Sequence, residues 1–522
     1  MPPPRRPPMP KLPPFALAAS RPARKLPYHL VIFFFLFALP LFAIHVGLLT
    51  LPFYWDEQGQ FIPTALDLLR TGAWVAHSTI PNVHPPGVEA YLVLWYKLFG
   101  FSIPITRLAM LLIAAAGLLI AFLLAIELSR GTEGFPAFLP PLFLLASPLF
   151  YTQSMMAQLD MPAMALTLLA LLLFVRKNYL VAAVASVFLV LVKETGIIVP
   201  FVFFLALIFR KDFRRAAFFI APAVALAAWL LVLHRATGYW LGDPGFAHYN
   251  VGYALHPVRM ALSFVRRIYY VFLGEFRWIG TLALLMTFRK HSIFNQFSWR
   301  VVIAVGAATL VLVSIFGGAE LERYVLPVLP LFYIAVAIAL MYVPKWITIT
   351  ATAILTAGLI ANLFWNPPWP FPYENNYAMV DFVRLQQLGA GFAERNLADR
   401  TIATAWPYTA AFQDPDYGFV QRKLDVVETR DFHASSIRAL PPRTFDALIT
   451  FTRTWAPENF VMSNSLVRRF LAHFYDWAPD ITPEQCMKLG LRETVSWDLR
   501  GQEITIYIRK GSAPANQARL HN

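Results

Sequence analysis

The chain has 522 residues, 58% hydrophobic and 14% charged, with a mean hydropathy of +0.54 and a net charge of +14. A water-soluble globular protein carries roughly a quarter charged residues, so the ordinary soluble classes are excluded. The single Cys486 excludes a disulfide framework and a multi-cysteine metal centre. The basic residues gather between apolar runs, which points to a membrane surface and not to nucleic acid.

Residues 1–28, rich in Pro and basic residues, read as a flexible tail that cannot bury enough apolar surface to fold. The apolar run from Tyr28 to Thr50 is too long for a signal-peptide core and has no small-residue cleavage site after it, so it reads as a first span. Runs near 29–50, 105–128, 136–153, 159–176, 179–192, 195–210, 214–233, 266–288, 300–316, 323–343 and 346–364 predict about eleven transmembrane helices in a polytopic α-helical membrane protein. The stretch 179–210, interrupted by LVKETG, reads as either a hairpin or one broken helix. Basic loops at 176–178, 209–215 and 288–300 share a side with the tail, which predicts a cytoplasmic N-terminus in a plasma (inner) membrane. The loop 51–104 and everything after 365 then face outward. Residues 365–522 predict a soluble α/β domain, with a helix over 379–396, strand-like TIATAWP and FDALITF, and a closing hairpin RETVSWDL–RGQ–EITIYIRK.

The carboxylates near the membrane mark the outer face: Asp56, Glu57, Glu89, Asp160, Glu194, Glu320 and Glu322. An ionisable group at that depth is costly unless it is paired or lines a wet cavity, so each is a functional candidate. Adjacent Asp56 and Glu57 suit a general base and a neighbour that tunes it; the alternative is a charged helix end that stops the span. Asp160, at the start of a span, fits either a helix cap or a site shared with Asp56. His84, rigidified by two prolines in NVHPPG, suits a phosphate or a metal contact, with Glu89 and His248 (and His234 and His256 nearby) as weak companions; their irregular spacing fits no metal signature. Lys193 and Arg323 sit where the positive-inside bias disfavours cations, which suits an anionic ligand; the alternative is snorkelling or pairing with a nearby acid, such as Lys193 with Glu194. For Arg107 snorkelling or pairing is the preferred reading.

Taken in order, WDEQGQFIPTALDLLRTGAW, HPPG, LWYKLFG, AQLDMPAMALTLLALL, LVKETGIIVP and ERYVLPVLPLFYIAVA resemble membrane glycosyltransferases of the GT-C fold, in particular the dolichyl-phosphate-mannose protein mannosyltransferase superfamily and its bacterial aminoarabinose-transferase relatives. The resemblance covers roughly residues 30–345. It implies Asp56 as the catalytic acid of the first outer loop with Glu57 beside it, Asp160 as the second acidic position, and Lys193, Arg323 and Tyr324 near the lipid-phosphate pocket. Many bacterial relatives carry an acid and a Lys before the paired prolines, where this chain has Val83 and His84, which leaves the role of His84 open. The implied activity is transfer of a sugar from a polyprenyl-phosphate donor to an acceptor hydroxyl at the outer face, with inversion and with Asp56 as base. The acceptor (protein, lipid or glycan) and the sugar stay unassigned, and a divalent metal is an option and not a requirement. Membrane lipids are partners on this reading, and nucleic acid is not. The competing class is a multi-pass lipid or solute transporter or flippase; it predicts internal repeats and mid-membrane helix breaks, and no repeat is found.

Overall fold

A computed structural model describes residues 28–130, 132, 134–288, 291–317, 320–441, 444–453 and 460–509. The predicted tail lies outside the described residues up to residue 27. The helical part begins with α1 (Tyr28–His45), followed by α2 (Ile62–Thr71) and α3 (Gly87–Phe99) in the first loop, then α4 (Ile103–Leu128). Ser102 caps α4 by accepting the Ile105 amide, and Pro104 sits in its first turn, where a missing N–H costs nothing. At 1.5 Å per residue its 26 residues extend roughly 39 Å, enough for a hydrocarbon core of about 30 Å.

There follow α5 (Leu139–Ala146), α6 (Pro148–Gln153), α7 (Asp160–Val175), α8 (Tyr179–Val192), α9 (Ile198–Ile208), α10 (Phe213–Ala216), α11 (Ala221–Thr237), α12 (Pro244–Ala247), α13 (Pro257–Phe272), α14 (Trp278–Thr287), α15 (Phe297–Ile315), α16 (Leu329–Leu340) and α17 (Lys345–Phe364). Among the described residues, five helical stretches are long and apolar enough to cross a membrane: 28–48, 103–128, 213–237, 297–315 and 345–364. Most of the other predicted runs hold shorter apolar helices, and 136–153 holds the two short helices α5 and α6, which part at Ser147.

Several stretches differ from a simple span. Over 179–210, α8 stops at Val192, Lys193 is extended (φ −148°, ψ 122°), and a 3₁₀ turn leads into α9. Phe203 of α9 stacks 4.2 Å from Phe174, which also packs on Tyr179 at the start of α8, so α9 folds back and the segment is a hairpin. Over 266–288 the chain makes an elbow instead of one helix: α13 begins earlier and ends at Phe272, and Glu275 and Phe276 take positive φ before α14. The buried Arg277 fixes that elbow through the Tyr270 carbonyl and the Glu275 carboxylate, each at 2.8 Å. In the predicted span 323–343 the helix starts only at Leu329, after a 3₁₀ turn over Glu322–Val325.

The C-terminal part is a small α/β unit. Helix α18 (Ala378–Asn396) packs on a five-stranded sheet of β1 (Ile402–Ala405), β2 (Val426–Thr429), β3 (Ala447–Phe451), β4 (Leu491–Leu499) and β5 (Gln502–Arg509), ordered β2-β1-β3-β5-β4. Strand β1 pairs parallel with β2 and β3, and the β4–β5 hairpin is antiparallel and joins β3 through β5. All four residues of β1 are buried, as a strand with parallel neighbours on both sides requires. The hairpin turns on Arg500 and Gly501, both at positive φ, a geometry matched to strand twist. The helix, β1, β3 and the β4–β5 hairpin fall where the sequence predicted them; β2, an edge strand, was not predicted.

Candidate functional site

A network of charged residues forms where the ends of several helices meet. Asp56 follows the 3₁₀ turn after α1, Asp160 opens α7, Lys193 is the break after α8, and Arg323 lies in the 3₁₀ turn before α16. Arg323 sits at the centre: its guanidinium pairs with Asp56, holds Glu374 Oε2 at 3.0 Å, and places Nε 3.2 Å from Asp160 Oδ2. Lys193 pairs with the other Asp160 oxygen and lies 4.4 Å above the Tyr324 ring. Asp160 opens α7, and its two carboxylate oxygens each meet a cation, Lys193 on one side and Arg323 on the other. Lys193 pairs with Asp160 and not with Glu194, the partner considered from sequence.

Five of the predicted residues therefore converge: Asp56, Asp160, Lys193, Arg323 and Tyr324. Sequence reasoning missed the sixth, Glu374, because it lies beyond the Pro/Trp-rich junction in the stretch assigned to the outer domain. Its single-turn 3₁₀ segment, Tyr373–Asn375, returns to the helical part, where Asn375 donates to Glu322 at 2.9 Å. Burial pushes the Glu374 carboxyl up to about 7; Arg323 opposes the rise, and Asp56 and Asp160 add to it.

Glu57 is placed differently from the expectation that paired it with Asp56. Its carboxylate is wholly buried, accepts the Tyr54 and Ala157 amides at 2.8 and 2.7 Å, and grips Arg107. Arg107 is equally buried and also donates to the carbonyls of Leu51, Pro52 and Met155. Glu57 and Arg107 thus staple the first loop to the segment before α7. The reason is donor supply, since the peptide groups beside Asp56 surround Glu57 and leave its oxygens occupied.

His84 bonds Glu194 Oε2 at 2.8 Å through Nδ1, and its ring meets Phe246 edge-on at 5.7 Å. Glu89 is buried on α3 with one oxygen unpartnered among the described residues; burial pushes its carboxyl up to about 7 against the opposing pull of His84. Among the described residues, no group of three or more His, Cys, Asp or Glu is arranged to hold a metal ion. His84, Glu89 and His248, the weak candidates from sequence, therefore form no metal-binding set.

A second acid–base group adjoins the first. Arg266 of α13 donates to Glu322 at 2.6 Å and lies 3.9 Å from Glu320, while Arg267 donates to the Val313 and Leu321 carbonyls. Positive and negative groups thus alternate along this rim, so that a buried cation such as Arg323 has acids beside it.

The chain shares its overall fold with known structures. It is similar to the crystal structure of ArnT from Cupriavidus metallidurans bound to undecaprenyl phosphate, at 15% identity, covering 93% of this chain and 99% of that one, with a TM-score of 0.52. The same protein in its apo state gives 14% identity, 92% and 98% coverage and a TM-score of 0.52. The Archaeoglobus fulgidus oligosaccharyltransferase in its apo form gives 10% identity, 94% and 76% coverage and a TM-score of 0.50. No protein-family model and no curated protein sequence matches the chain. The fold is that of the GT-C membrane glycosyltransferases, with ArnT among the structures it resembles.

Proposed function

We propose that the chain transfers a sugar from a polyprenyl-phosphate donor to an acceptor hydroxyl at the outer face of the membrane. The observation that carries this reading is the convergence of Asp56, Asp160, Lys193 and Arg323 in one network within a GT-C fold. The ligand seen in the similar ArnT structure, undecaprenyl phosphate, supports the donor class. On this reading eleven spans place the N-terminus in the cytoplasm and the network and C-terminal unit outside.

Each group then has a task. Asp56 takes the proton of the acceptor hydroxyl as that oxygen forms a bond to the anomeric carbon, while the bond from that carbon to the donor phosphate oxygen breaks. Attack opposite the leaving group inverts the configuration. Lys193 and Arg323 hold the phosphate and stabilise the negative charge that gathers on it as it departs. Tyr324 sits beneath Lys193 and fixes the direction of its ammonium group. Asp160 positions both cations. The lipid tail stays in the bilayer and supplies about 0.8 kcal/mol per buried CH₂ to donor binding.

The test uses the full-length protein in detergent with a panel of radiolabelled polyprenyl-phosphate sugars. Donor cleavage or transfer by the wild type, reduced at least about 100-fold in Asp56→Asn, is the expected result. A wild type that cleaves no donor in the panel would overturn the reading in favour of transport.

A further inference from the structure

Between the first outer loop and the C-terminal sheet lies an open cleft of about 450 Å³, within the roughly 300–1,000 Å³ range of small-molecule sites. One wall begins with Gln58 and Gly59, in the turn that starts at Asp56, and continues through α2 to Ile80. The other wall is Trp406 with helix α19 (Tyr408–Gln413) and Glu428 of β2. Gly59 approaches the Trp406 indole so closely that any Cβ would collide with it, and Trp55 meets the same indole edge-on at 5.6 Å. Trp406 therefore touches both the cleft and Trp55, the neighbour of Asp56.

The lining specifies the chemistry of an occupant. Three carboxylates, Asp67, Asp414 and Glu428, line the cleft with one guanidinium, Arg70, which is already bonded to Asp416 at 2.6 Å; Asp67 Oδ2 accepts the His77 and Ser78 amides and Asp414 Oδ1 the Asp416 amide, which leaves Glu428 the freest acid. An anionic occupant is disfavoured there. Glu428 accepts from Thr409 at 2.9 Å, which leaves further lone pairs for outside donors. The Gln58 amide is fully buried, and neither its nitrogen nor its oxygen has a partner among the described residues. Buried amide groups are ordinarily hydrogen-bonded, so an unmatched one at a cleft wall fits a ligand that both donates and accepts. Trp406, Tyr417 and Phe246 add aromatic surface. Carboxylates and amides for hydroxyl groups, with aromatic rings for the C–H faces between them, match a polyhydroxylated ligand.

We infer that this cleft binds an uncharged glycan, which serves as the acceptor; the word acceptor rests on the transfer reading above, whereas glycan binding by the cleft does not. The experiment is saturation-transfer NMR on the full-length protein in detergent, with mannotriose, arabinotriose and galactotriose as probes and mannose 6-phosphate as the anionic comparator. Wild type and Asp56→Asn are expected to bind at least one neutral trisaccharide and to bind the sugar phosphate more weakly. Gln413→Trp, at an exposed position where the new ring fills the cleft, and Glu428→Lys are expected to weaken that binding at least fivefold, with unchanged gel-filtration profiles. If Glu428→Lys fails to fold, Gln413→Trp alone decides. No trisaccharide bound, binding untouched by the cleft variants, or preference for the phosphate each overturns the inference. Donor cleavage is scored on the same preparation. Cleavage without glycan binding sinks the cleft and leaves the transfer reading standing; cleft-dependent binding without cleavage does the reverse.

Discussion

Arg323 carries three carboxylates, and that load has a consequence for pH. With Glu374 ionised, the guanidinium is shared among Asp56, Asp160 and Glu374; with Glu374 neutral, more of its charge is free for a phosphate. Glu374 is raised to about 7, so it is neutral below that pH and charged above it. Donor affinity is therefore expected to be highest below about pH 7 and to fall several-fold as pH rises through it. The Glu374→Gln variant should flatten the profile at the low-pH affinity. Isothermal titration with a polyprenyl-phosphate sugar, whose phosphodiester keeps one charge between pH 5.5 and 8.5, reads this directly, and an unchanged slope in the variant would assign the pH dependence to another group. Adjacent Asp56 and Glu57 separate by the opposite logic. Breaking a buried ion pair by removing one partner costs about 3–5 kcal/mol, because the other charge is left unpaired. Arg107→Met is thus expected to lower the melting temperature sharply, or to stop accumulation, while Asp56→Asn leaves melting close to wild type. Thermal unfolding followed by fluorescence-detected gel filtration separates the two. The sequence made Asp56, Asp160, Lys193 and Arg323 readable because unexpected charge beside apolar runs is rare. It could not separate Glu57 from Asp56, since neighbours in sequence look alike until the backbone donors around them are known.

At the scale of elements, apolar runs located the helices, whereas helix breaks came from single polar contacts that no run reveals. The Arg277 pairing that bends the chain between α13 and α14 is one case. The residues before it, FVRRIYYVF, are amphipathic, and the arginines on their polar side reach Glu322 and the Val313 carbonyl. A window of average hydropathy merges such a helix with its neighbour. β2 escaped notice for a related reason: VVET is four residues long, and partner strands set its place in the sheet. The elbow also makes a prediction. Gly358 of α17 lies against the Phe276 ring, so that any added side chain must push into it. Gly358→Val should overpack this contact at a cost of about 1–3 kcal/mol. Gly47, with open space around it, should accept Ala with little change. Apparent melting temperatures of the two variants in one detergent make the comparison; equal values would mean that α17 is free to shift away from the elbow.

For the whole molecule, the C-terminal unit is clasped to the helices and not tethered loosely behind them. Glu374 reaches Arg323, Phe53 donates to the Tyr417 carbonyl at 3.3 Å, and Trp55 packs on Trp406, Phe382 and Phe451. Such contacts join residues hundreds of positions apart, which is why a reading by composition drew a boundary at 365 and left the site incomplete. The side of the membrane on which this clasp sits depends on how many times the chain crosses between the basic loop at 176–178 and the clasp. The α13–α14 elbow decides the parity. Helix α14 alone, with ten residues, extends only about 15 Å, so it cannot cross without α13. If the pair crosses once, seven crossings separate Lys177 from the C-terminal unit, and the two lie on opposite sides. If the elbow turns back, they share a side, and the basic loops no longer do. Because Cys486 is the sole cysteine and is buried, Cys486→Ala gives a clean background for labelling. Single cysteines at the exposed positions Lys177 and Arg422 are then probed with a membrane-impermeant maleimide on intact cells. Labelling at 422 without permeabilisation, and at 177 only after it, is the expected pattern. Labelling of both from one side would overturn the single crossing at the elbow, and labelling at 422 only after permeabilisation would overturn the placement of Asp56 at the outer face.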